Sequence, residues 1–284
     1  MIRAVLLAAI LLALAPVRLA AQGDGAAYAG PIFDAHLHYN TEIWDHYDPA
    51  AAEKVLRAAG VRRAIVSSWP DEGSLKLHAA NPKMFQPMLR PYRDRVTRAD
   101  WFRHDSVPAF MAGRLSRNVY AGAGEFHLFA PEDARTPVAR QVVALAVERG
   151  LFVYVHCDAA TLEVVLGQAP TAKVLWAHAG FSEGPAAVGR VLDAHAQVWT
   201  ETSYRAQDIA PGGVLDDGWK ALFVRHADRF MIGADVSVVS RWNAYGRIIA
   251  EHRRWLGQLP VGVARAIAWQ NAARHFGGAE LFGE

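Results

Sequence analysis

Short unbroken apolar runs recur along the chain and alternate with stretches of helical length. Ile32-Phe33, Ala64-Ile65-Val66, Phe152-Val153-Tyr154-Val155, Val174-Leu175-Trp176 and Phe230-Met231-Ile232 are examples. A strand with one face in water alternates apolar and polar residues, whereas one buried on both faces reads as a continuous apolar run. The pattern therefore predicts repeated βα units around a parallel sheet. The expected strands are 31–38, 63–67, 85–89, 119–124 with Glu125 at its end, 151–156, 174–178, 197–201 and 230–233. Asp48-Pro49 opens a helix to Ala59 that Gly60 ends, with Asp48 as cap and Pro49 in the first turn. Further helices are expected at 107–115, 136–149, 241–256 and 261–276. Eight strands with such connections make the expected fold class α/β, a single (β/α)8 TIM barrel.

Several runs end in a polar residue: His36 and His38 after the first, then His156, His178 and Asp235. In a parallel barrel the C-terminal strand ends form one face, where catalytic groups gather. Residues two apart on a strand share a face, so His36 and His38 can reach one site. Imidazoles and a carboxylate converging from distant segments point to a divalent metal and metal-assisted chemistry.

The N-terminus reads differently. Arg3 precedes an almost wholly apolar segment, Ala4 to Ala15, and small residues 19–21 offer a cleavage point before Gln22. That stretch is short of the ~20 residues a membrane span needs and fits a secretory signal. The expected division is 1–21, a signal peptide, and 22–284, the barrel domain. Export to the periplasm, or secretion, follows as an expectation, with no stable membrane association after cleavage. Arg3 and Arg18 are the only charges in the leader, so without it the 30 basic residues fall to parity with the 28 acidic ones. A neutral domain argues against a nucleic-acid partner; nothing bears on oligomeric state. The single cysteine, Cys157, excludes an intrachain disulfide, which a barrel of ~250 residues does not need. With no activating partner in view, Cys157 is read as a small buried apolar residue, not a nucleophile.

The segments Phe33-Asp34-Ala35-His36-Leu37-His38, Gly124-Glu125, Val155-His156, Trp176-Ala177-His178-Ala179-Gly180-Phe181 and Gly233-Ala234-Asp235 resemble the metal-dependent amidohydrolase superfamily, most of all its amidohydrolase-2 branch. The resemblance runs from Phe33 to Phe276. It implies that His36, His38 and His156 ligate metal. Asp235 would touch the metal and take a proton from activated water. His178 would bond that water, polarise the substrate or ligate a second ion. Many two-metal members carry a modified lysine where this chain has Glu125, and a carboxylate there resembles the deoxyribonuclease branch. Glu125 is thus expected to be a metal ligand bridging two ions, or else an acceptor that orients a ligand histidine. His127, two residues on, is a further candidate for the same cavity.

The implied cofactor is one or two divalent ions, zinc first, with manganese, iron, nickel or cobalt accepted by the same donors. The implied activity is hydrolysis of a small-molecule amide, ester or lactone by metal-activated water, with Asp235 and His178 catalytic. Non-oxidative decarboxylation, phosphoester hydrolysis and metal or ligand binding without catalysis remain as alternatives. Arg90 and Arg205 are candidates to hold a substrate anion, and Tyr204 and Trp69 to wall an apolar pocket. Trp44, Trp101 and Trp242 are further candidates for the rim.

Overall fold

Strand β1 (Ile32–Leu37) has all six residues buried, including Asp34 and His36. In the computed structural model, which describes residues 25–278, it is followed by β2 (Val61–Ser68), β3 (Phe85–Leu89), β4 (Gly122–His127), β5 (Phe152–His156), β6 (Lys173–Trp176), β7 (Val198–Glu201) and β8 (Phe230–Met231). All neighbours are parallel and the spatial order is the chain order. Single bridges, Asp34 to Ile232 and Leu37 to Val236, join β8 and the residues beyond it to β1. The sheet is thereby a nearly closed (β/α)8 barrel, as the apolar runs predict. The proposed leader, residues 1–21, lies outside the described residues.

Two apolar layers hold the barrel. The larger lies between strands and helices. The smaller fills the interior with Ile65, Met88, Tyr154, Leu175 and Met231 and is plugged by Phe33, Phe152, Trp269 and Phe276. Phe33 packs 5.8 Å from the Trp269 ring, and Phe152 4.7 Å from Phe276. A filled interior leaves the ends of the strands as the place for a site. Among the described residues, no helix is long and apolar enough to cross a membrane.

The helix punctuation matches its chemistry. Asp48 caps Pro49–Ala58 through the Ala51 N–H, and Thr136 caps Pro137–Glu148 through the Ala139 N–H. Val107–Leu115 falls where expected. The expected 241–256 helix is two, Val239–Asn243 and Tyr245–Leu256, and a π-helical turn, Ala266–Gln270, lies within the last helical stretch.

Three strands differ from expectation in ways that matter at the site. β4 starts at Gly122 and continues through Glu125 to His127, so both side chains belong to the strand. Its start is set by pairing: Gly122 lies opposite Phe152, where a Cβ would meet the Phe152 carbonyl at 2.9 Å. β6 stops at Trp176, and His178 sits in a tight turn with φ of 56°. β8 stops at Met231, and Asp235 lies on a turn with φ of 43°.

Candidate metal centre

His36, His38, Glu125, His156, His178 and Asp235 converge at the C-terminal ends of the strands. Two donor sets with no residue in common form there, and a third, His36, His178 and Glu201, overlaps both. His36, His38 and Asp235 make one; Glu125, His156 and His178 make the other; within each, the ligand atoms lie within 4.8 Å of one another. The Nε2 atoms of His36 and His38 are 3.0 Å apart, and Asp235 Oδ1 is 2.9 Å from His38 Nε2. His178 Nε2 lies 3.1 Å from His156 Nδ1.

Glu125 joins the sets. Its Oε2 is 3.4 Å from His36 Nε2 and 3.5 Å from His38 Nε2. Its Oε1 is 2.8 Å from His156 Nδ1 and 3.6 Å from His178 Nε2. One carboxylate thus presents one oxygen to each set. Gly124 allows this placement: its φ is 124°, and a Cβ would lie 2.0 Å from the Tyr154 carbonyl oxygen.

The hydrogen bonds around the imidazoles decide which nitrogens carry protons. His36 Nδ1 lies 3.0 Å from Glu201 Oε1, and His38 Nδ1 bonds the Ser67 carbonyl. His178 Nδ1 faces the Ser203 carbonyl at 3.2 Å and its hydroxyl at 2.8 Å. Carboxylates and carbonyls only accept, so each Nδ1 carries the hydrogen and each Nε2 turns a lone pair inward. Lone pairs and two carboxylates facing one another at these distances repel unless a cation lies between them. The donor set therefore fits divalent ions, and nitrogen and carboxylate donors suit zinc and other first-row metals.

The carboxylates draw positive charge to the same place, which either a proton on Nε2 or a cation bound in its stead can supply. Burial opposes protonation of His36, yet Asp235, Glu125 and Glu201 together raise its pKa well above the usual value. Burial opposes ionisation of Glu125 too, but His127, His36 and the bonded imidazoles hold it well below the ordinary carboxylate range. Asp235 is lowered likewise, against burial, by His36 and His38.

Glu201 and Asp34 lie outside the six expected metal ligands. Glu201, at the end of β7, is wholly buried. It accepts from the His178 N–H and the Ser203 N–H, both at 2.7 Å, as well as from His36. Burial disfavours its charge, but His36, His178 and the Ser203 N–H bring its pKa to about 2. Gly233 leaves room for it, since a Cβ there would meet Glu201 Oε2 at 2.1 Å. Asp34 accepts from the His36 and Ala234 N–H groups at 3.0 and 2.9 Å and from the Tyr245 hydroxyl at 2.8 Å. Burial dominates there and lifts its pKa to about 7. The available signal was a carboxylate on a buried strand.

The remaining candidates separate. Arg90 is buried at the floor, with Nη2 3.2 Å from Glu125 Oε2 and Nη1 3.5 Å from the Ser67 carbonyl. It secures Glu125 and borders the cleft. Arg205 does not border the cleft. Its Nη1 donates to the His178 and Ala179 carbonyls at 2.9 and 3.0 Å, and its Nη2 to the Glu183 carbonyl at 2.6 Å. It holds the turn carrying His178, so the expectation that it grips substrate gives way to a structural job. Tyr204 and Trp69 do border the cleft, and so does His127, stacked 4.3 Å from His156. Trp101 and Trp242 are buried, donating to the His127 carbonyl at 2.8 Å and the His38 carbonyl at 3.1 Å; they brace strand ends and do not form a rim. Trp44 is not part of the cleft lining; its indole donates to the Tyr39 carbonyl at 2.9 Å. Cys157 is buried, its thiol pKa raised by burial, consistent with an inert side chain.

The cleft above the centre has a volume of about 1230 Å³. Five of its lining residues sit at positive φ: Asp94, His178, Phe181, Tyr204 and Asp235, with φ between 43° and 61°. Such conformations cost roughly 1–3 kcal/mol each and gather at ligand sites.

No family model matches the sequence, and no curated protein matches it. Solved structures do match the fold. A probable 2-pyrone-4,6-dicarboxylic acid hydrolase from Acinetobacter baumannii superposes with a TM-score of 0.61 at 13% identity, covering 87% of this chain and 100% of that one. The 5-carboxyvanillate decarboxylase of Sphingomonas paucimobilis gives 0.54 at 13%, over 87% and 98%. The L-hydantoinase of Arthrobacter aurescens gives 0.57 at 9%, over 87% and 71%. At such identities the likeness establishes the fold alone, and over 87% of its length this chain shares the barrel of these enzymes.

Proposed function

We propose that the protein is a metal-dependent hydrolase of the amidohydrolase superfamily that cleaves a small-molecule amide, ester or lactone at a centre of two divalent ions, zinc first among them. The carrying observation is the division of Glu125: Oε2 serves His36 and His38, and Oε1 serves His156 and His178. Bound there, the ions would polarise a carbonyl and make water acidic enough to attack at neutral pH.

The chain's residues supply the rest. Asp235, ionised and bordering the cleft, accepts the proton of the attacking water and passes it to the leaving nitrogen or oxygen. Arg90 holds Glu125, and Glu201 holds His36 by its Nδ1 and His178 by its backbone. The solved structures of a probable hydrolase and a hydantoinase on this fold support the reading.

A non-oxidative decarboxylase is the second reading. It is supported by the fold match to 5-carboxyvanillate decarboxylase and by the set His36, His38 and Asp235, which is complete for one ion. Metal content per chain, with Glu125→Ala alongside the parent, separates the two. Two ions falling to one or none, with turnover on an amide, ester or lactone panel, is the expected result. One ion unchanged by the substitution, with carbon dioxide released from aryl carboxylates, favours decarboxylation. Tight metal without turnover on either panel overturns both. Export with cleavage before Gln22 belongs to the same proposal, and N-terminal sequencing of the native protein tests it.

A further inference from the structure

The cleft has two unlike walls. Arg93 follows β3 and borders the cleft. Its Nη2 donates to the Ser106 hydroxyl and carbonyl at 3.0 and 3.3 Å, and its guanidinium lies 4.5 Å over the Phe110 ring. All these partners are neutral. Its Nε is shielded from solvent without a hydrogen-bond partner. Among the described residues no carboxylate pairs with it, whereas the nearby Arg114 is held by both Asp71 and Glu72. A partly buried guanidinium, oriented by stacking and lacking a counter-charge, is a ready partner for an anion.

Phe181, after β6, and Tyr204, after β7, form the other wall. They are 53% and 48% exposed, although nearby rings such as Trp101 and Trp242 are fully buried. Their centroids are 6.5 Å apart, and each lies within 6 Å of the His178 ring. Both stand on left-handed backbone, with φ of 59° and 61°. Arg241 lies 4.0 Å from the Tyr204 ring and is itself anchored on the Asp235 and Ala234 carbonyls at 2.9 and 2.7 Å. The aromatic faces are held in position yet left open, which stability alone does not reward. In a ring of eight strands β3 and β7 are four apart, so the two walls oppose each other across the metal centre.

We propose that the substrate is an amphiphilic organic acid: its carboxylate pairs with Arg93 and its flat apolar group lies on Phe181 and Tyr204, bringing a carbonyl between them over Glu125. This deepens the hydrolase reading and rests on it for the carbonyl; the recognition itself does not require turnover.

The test uses ligands that cannot be hydrolysed and zinc-loaded full-length protein. Binding of 3-benzoylpropanoate is measured by calorimetry against its neutral carboxamide and against 4-oxopentanoate, which has methyl in place of phenyl. The expected result is roughly a tenfold or greater loss for each change. Arg93→Gln should abolish the preference for the carboxylate and keep that for the ring, with Arg93→Lys restoring part of the former. Phe181→Ala should do the reverse. Equal binding of all three, binding of none, or a carboxylate preference that survives Arg93→Gln overturns the inference; the last result would place the carboxylate on the metal. Because turnover is scored on a separate panel, loss of the hydrolase reading and loss of this one are distinguishable.

Discussion

Glu201 is 0% exposed, and its shortest polar contacts go to the candidate ligands His36 and His178 and to the turn after β7, with the Tyr154 hydroxyl at 3.4 Å besides. Replacing it by Gln keeps the volume but removes the charge that keeps His36 Nδ1 protonated and Nε2 free. Glu201→Gln is expected to weaken metal affinity about 10–100-fold, measured by chelator competition, while the fold persists. An unchanged affinity would remove Glu201 from the centre. Asp235→Asn is expected to lower kcat by about 10²–10⁴-fold, with metal content retained if its proton transfer matters more than its ligation. Loss of metal in step with activity would instead make Asp235 chiefly a ligand.

Short turns decide the site at the level of elements. His178 and Asp235 lie past the ends of their strands, and left-handed backbone aims each at the centre. Arg205 fixes the His178 turn by three carbonyls. Removing it leaves those acceptors without their charged donor, so Arg205→Ala should cost about 2–4 kcal/mol in denaturant unfolding and also weaken metal binding. A loss of stability with no effect on metal would break the proposed link from turn to site. The turn was not legible in the chain because Val174-Leu175-Trp176-Ala177 is apolar right up to His178, and periodicity carries no mark of where such a strand stops. The start of β4 was hidden likewise, since Val119-Tyr120-Ala121 is as apolar as the strand that follows it.

For the whole molecule, the candidate metal centre draws on the ends of β1, β4 and β5 and the turns after β6 and β8, which a bound ion would tie together. Ions that bind only the folded chain stabilise it by mass action, by about 2.7 kcal/mol at a hundredfold excess over Kd. Chelation should therefore lower the melting temperature and zinc restore it; no shift in either direction would argue against a folded-state site. A separate pH response comes from His252, buried against Trp255, with Nε2 3.0 Å from the Gly233 carbonyl. Burial lowers its pKa from 6.5 to about 4. The unfolded chain then takes up the proton first as pH falls. The stability contributed by neutral His252 is present above about pH 6.5 and lost progressively down to about pH 4, a change on the order of 3 kcal/mol. In metal-free protein, the unfolding free energy of His252→Gln should fall less over that window than the parent's; parallel curves would contradict it.

Read along the chain alone, the apolar runs give the class of fold and mark His36, His38, His156, His178 and Asp235 as candidates, while Glu125 enters through the family resemblance. Strands buried on both faces leave continuous apolar runs, and a polar residue closing such a run is conspicuous. Tertiary structure decided everything that depends on distance across the barrel. It set Glu125 between two donor sets, and it assigned Arg205 to a turn and Arg90 to Glu125. It also brought Glu201 under His36 from 165 residues away. An arginine or glutamate looks the same in sequence whether it meets a carbonyl, a histidine or a ligand. Only closure of the eight strands into a ring fixes which of these it meets.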